Sequence, residues 1–122
     1  MAHPGPGGTD PVSDTPAERF ADQLARTVDR LRSLSLARLG APFEPEATRA
    51  DAARATAQRL ADVAAELESG PARTLPRLAD AAVGDQVAVC GRDVLVAASA
   101  TPESAPLLAA LADDLLELRR RI

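Results

Sequence analysis

Cys90 is the one side chain in this 122-residue sequence whose type could make it a strong nucleophile. A reactive thiolate needs a base or a cationic neighbourhood, and access to solvent. Cys90 stands instead between Val87 and Val94 on the inward side of an apolar run. The single histidine, His3, is far away among prolines and glycines with no partner residue near it. The expected roles are a buried structural thiol for Cys90 and a solvated side chain for His3. Carboxylates cluster at Asp113, Asp114 and Glu117, and at Glu66 and Glu68. General acid or base work needs one such group desolvated, and these fall on polar helix faces. No CxxC, HExxH, calcium-loop series or glycine-rich phosphate loop occurs. The sequence therefore predicts no catalytic residues, no metal site and no cofactor, and an enzyme built on Cys90 ranks behind readings based on binding.

Arginines are the other chemistry-bearing group, since every basic residue is arginine, and lysine, asparagine, tryptophan and tyrosine are absent. Arg73, Arg77 and the run Arg119, Arg120 and Arg121 could contact phosphates. The formal charge of −4 works against that, because nucleic-acid surfaces call for a basic excess. A nucleic-acid-associated regulator is thus the alternative function, and nucleic acid is the less favoured partner. No apolar run approaches the ~20 residues that span a bilayer, so no membrane partner is expected. Residues 1–14 lack the basic start and apolar stretch of a secretory signal. Together with a lone cysteine, this predicts a cytoplasmic protein.

The elements that must position these residues follow from periodicity. Residues 1–14, rich in proline and glycine, read as a disordered tail. Residues 15–122 read as one all-α domain, a largely antiparallel four-helix bundle. Thr15, Pro16 and Glu18 form a capping-box start. Phe20, Leu24, Val28, Leu31 and Leu34 then make a helical stripe, predicting a first helix over about 16–39 closed by Gly40 and Pro42. Leu36 falls off that stripe. Phe43 is placed at the end of the bundle, and a second helix over about 46–69 carries a lean face of Ala50, Ala53, Ala57, Leu60, Val63, Ala64 and Leu67. Such alanines let helix axes approach closely. A proline-bearing linker at 70–78 leaves the direction of the third helix open. Ser104 is chosen to cap a fourth helix over about 105–121, whose stripe is Leu108, Leu111, Leu115, Leu118 and Ile122.

Residues 79–98 decide the fold class. As a helix, Val83, Val87, Cys90, Val94, Ala97 and Ala98 share one face, with Asp85, Gln86, Arg92 and Asp93 opposite. As strands, Val87–Val89 and Val94–Val96 would flank a turn at Gly91, giving the α+β alternative with a hairpin at 87–96. Helix sorts the residues better. Leu36, Val89, Val96 and Leu116 then lie outside their helices' core stripes and form the expected interaction surface. Val89 and Val96 must be covered either by the linker or by another chain. The leading functional reading is a non-enzymatic protein that binds an unknown protein partner or itself as a homodimer.

Overall fold

The computed structural model describes residues 15–122; the expectations for residues 1–14 and His3 lie outside them. The chain is all-α, with helices α1 (Pro16–Ser33), α2 (Leu36–Leu39), α3 (Arg49–Leu67), α4 (Val83–Ser99) and α5 (Ala105–Arg121). Single 3-10 turns at Asp80–Ala82 and Pro102–Ser104 lead into α4 and α5.

The capping box that starts α1 forms as its residues require: the Thr15 side chain accepts from the Glu18 amide at 3.0 Å, and the Thr15 amide donates to Glu18 Oε1 at 3.2 Å. The stripe from Phe20 to Leu34 is buried throughout. The expected single helix over 16–39 is broken, however. Leu34 is extended (φ −77°, ψ 139°), Ser33 Oγ donates to the Arg30 carbonyl, and Ser35 caps the one-turn α2 by accepting from the Arg38 amide. Serine hydroxyls compete for the backbone groups that would otherwise continue the helix. The new direction buries Leu39 and turns Leu36 outward.

Helix α3 starts three residues later than the composition suggests. The Phe43 amide donates to the Ala47 carbonyl, closing a turn over 43–47, and Thr48 supplies the cap by accepting from the Asp51 amide. Phe43 does sit at the end of the helices, half-buried, with the guanidinium groups of Arg49 and Arg121 each 4.9 Å from its ring centre. At the other end α3 closes at Leu67, and the left-handed position that follows is taken by Ser69 (φ 56°) rather than by Gly70.

The linker settles the topology. Gln58 of α3 donates to the Arg73 carbonyl and accepts from the Leu75 amide, Gln86 of α4 donates to the Pro76 carbonyl, and Arg54 donates to the Leu78 carbonyl. The linker thus runs back along α3, and α4 starts at the same end as α3 and lies parallel to it. Helices α1 and α5 are parallel as well, joined by Arg19 to Asp113, Gln23 to Arg119 and Arg30 to the Ile122 carbonyl. Only α1 with α4, and α3 across to α5 through Arg59 and Asp114, are antiparallel. The largely antiparallel expectation is corrected accordingly. The physical reason is the extended linker, long enough to retrace a whole helix.

Arg54 holds that return. It donates to Asp51 at 2.8 Å and to Asp80 at 2.7 Å with only 13% of its side chain exposed. Burial opposes its charge, but the two carboxylates outweigh burial and raise its pKa. The Arg54 hydrogen bond in turn is the main reason that Asp51 ionises below the ordinary carboxylate range, against the opposing effect of burial, with Arg77 helping.

Candidate functional surface on α4

Residues 83–99 are helical, which overturns the hairpin alternative. The inward face is the one expected, with Val83, Val87, Cys90, Val94, Ala97 and Ala98 all buried. Gln86 departs from expectation: it is 8% exposed, because its amide is spent on the Pro76 carbonyl of the linker. Two glycines set the approach of α1. A Cβ built on Gly84 would stand 3.1 Å from Cγ of Arg32, and one on Gly91 would overlap Cδ1 and Cδ2 of Leu24.

Between α1 and α4 lies a shallow open groove of about 270 Å³. Its lining is mixed, with Ala21, Ala25, Ala88 and Leu95 beside the charged Asp29, Arg32 and Arg92. Past Arg92, around the outside of α4, come Val96 (63% exposed) and Val89 (52% exposed). The linker does not cover these valines, since it is held on the Gln86 side. Arg32 of α1 bonds to Asp85 at 2.6 Å. Arg92 and Asp93 are exposed and make no ion pair among the described residues.

Of the four residues expected on an interaction surface, Val89 and Val96 are brought together on one line of α4. Leu36 is 64% exposed, but it belongs to α2. Leu116 is half-buried on α5, which packs on α1 rather than α4, so it does not extend the valine line. On the α4 side, sequence spacing marks a shallow small-residue edge of Gly84, Ala88 and Gly91 where a neighbouring helix can come close, and α1 lies there; the α1 side of the groove, with Ala21 and Ala25 four apart, escaped sequence reading.

Among the described residues, the remaining chemistry-bearing side chains lie apart from this surface. Cys90 is 4% exposed, and its thiol pKa is raised by burial first and by the charge of Asp93 second, with Arg73 acting the other way. Glu66, Glu68, Asp113, Asp114 and Glu117 are all exposed, with Asp113 paired to Arg19 and Asp114 to Arg59. No group of three or more metal-ligating side chains occurs among the described residues. Several of the arginines are occupied: Arg77 with Asp51, Arg119 with Gln23, and Arg121 with Glu46 and the Phe43 ring. No helix among the described residues is long and apolar enough to cross a membrane. The chain matches no family model, no curated protein and no solved structure.

Proposed function

We propose that this chain is a non-enzymatic cytoplasmic protein that works by binding another protein through the outer face of α4. The observation that carries the reading is the exposure of Val89 and Val96, more than half uncovered on a helix whose opposite face is fully buried. Single exposed aliphatics are ordinary on protein surfaces. Two of them one heptad apart, beside a groove of mixed lining and an arginine with no ion pair among the described residues, form a surface suited to a helix. The lone buried thiol fits a reducing compartment.

The test compares proteins crosslinked in the native host to the wild-type chain with those crosslinked to Val89→Asp/Val96→Asp. Circular dichroism checks that the variant keeps its helix content. A crosslinked species, foreign or self, that is present with wild type and lost with the variant is the expected result. Identical crosslinking patterns would remove α4 as the functional face. The rival reading, a regulator that holds nucleic acid through arginines, has less support because Arg77, Arg119 and Arg121 are engaged within the fold. It requires a gel shift that weakens steeply with salt.

A further inference from the structure

We infer that the occupant of the α4 face is a second copy of this chain, docked with the two α4 helices parallel about a two-fold axis that runs along them. This inference rests on the reading of α4 as a protein-binding face and names its partner.

Charge sets both the partner and the direction. At 100° per residue, Val89 and Val96 lie nearly on one line along α4, Arg92 lies about 50° to one side of it, and Asp93 lies about 50° to the other. Both charged side chains are exposed and lack ion-pair partners among the described residues. Of the carboxylates of its own chain on that side, Asp85 is held by Arg32, and Asp29, which lines the same groove as Arg92, forms no ion pair with it. A two-fold axis parallel to the helix sets each valine against its own copy and exchanges the flanks. Arg92 then faces Asp93 of the partner subunit, and Asp93 faces the partner's Arg92, so two ion pairs bracket the valine seam. An antiparallel pairing about a perpendicular two-fold keeps each residue on its own side. In the register that seats Val89 against Val96 of the partner subunit, it would set Arg92 against the partner's Arg92 and Asp93 against the partner's Asp93. The face is therefore self-complementary in the parallel arrangement and self-repelling in that antiparallel register. A helix pair is a small interface, so the association is expected to be weak and to be read at roughly 10–500 μM chain.

Sedimentation velocity on the full chain over that range tests the proposal. Wild type is expected to shift from monomer to dimer. Arg92→Asp and Asp93→Arg are each expected to weaken the dimer about tenfold, because each turns two attractions into two repulsions. The doubly exchanged Arg92→Asp/Asp93→Arg is expected to recover it. Direction is read separately by disulfide trapping. Val89→Cys is expected to crosslink to its own copy, and an equimolar mixture of Val89→Cys and Val96→Cys is expected to give only the two homodimers. A crosslink between positions 89 and 96 would overturn the parallel arrangement. A dimer indifferent to both charge reversals would place the contact elsewhere. A wild type that stays monomeric at 500 μM would overturn self-pairing. In that last case the broader reading stands only if host crosslinking still depends on Val89 and Val96, so the two failures are distinguishable.

Discussion

Replacing Gly91 by alanine sets two effects of known size against each other at the closest point between α1 and α4. An alanine in a helix interior is worth about 1 kcal/mol over glycine, and Gly91 lies mid-way along α4. Against this, the added Cβ would stand 2.5 Å from Cδ2 and 3.0 Å from Cγ of Leu24. Overpacking of that kind costs about 1–3 kcal/mol, so Gly91→Ala alone is expected to lower stability by about 0–2 kcal/mol. The informative measurement is the double-mutant cycle with Leu24→Ala. That truncation by itself costs about 2–5 kcal/mol and removes the atoms the new methyl would meet. In the Leu24→Ala background the same Gly91→Ala change should therefore stabilise by about 1 kcal/mol. The coupling between the two sites comes to about 1–3 kcal/mol. Urea unfolding followed by helical circular dichroism, with stabilities obtained by linear extrapolation, measures all four corners. Equal effects of Gly91→Ala in the two backgrounds would refute the reasoning. They would mean that Leu24 swings into the adjacent groove without cost and that glycine is not what sets the helix separation.

Arg54→Ala removes the clamp between α3, the linker and the turn before α4. It is expected to cost about 1–3 kcal/mol at neutral pH, because Asp51 and Asp80 lose charge-assisted hydrogen bonds. Asp51 has a depressed pKa in the fold, so its contribution is complete above the unfolded value of about 3.9 and is lost as pH falls through the lower folded value. Urea melts from pH 7 to pH 3 should show the gap between wild type and Arg54→Ala narrowing at the acid end, and a constant gap would contradict the assignment. Cys90 should react with a disulfide reagent at least about 100-fold more slowly in the native protein than in denaturant. Its raised pKa gives a contribution present below the unfolded value of about 8.5 and lost as pH rises through the folded one. Rapid native modification at pH 7 would show that the thiol is accessible.

Much of the fold was legible because helical periodicity depends only on local spacing. Phe20 to Leu34, Ala50 to Ala64, Val83 to Ala98 and Leu108 to Ile122 form their stripes whatever the helices pack against, and all four are buried as the spacing demands. Thr15 and Glu18 likewise fold into a capping box through contacts three residues apart. The same spacing puts Val89 and Val96 together on the face of α4 opposite Val87 and Val94.

Where the linker goes was decided by tertiary structure. Nothing local in residues 70–78 says that Gln58, Gln86 and Arg54 will collect its carbonyls. Those three long-range bonds make α3 and α4 parallel, bury Gln86 on a face that reads as polar, and leave the α4 valines uncovered. The partial burial of Leu116 is of the same kind. It depends on which neighbouring helix occupies the adjoining space, a quantity that periodicity along one chain segment does not contain. The close approach of α1 to α4 likewise needs Gly84 to meet Arg32 and Gly91 to meet Leu24, residues from a distant part of the chain. Sequence spacing determined which residues share a face, and the closure of the linker over its long-range partners decided which faces meet.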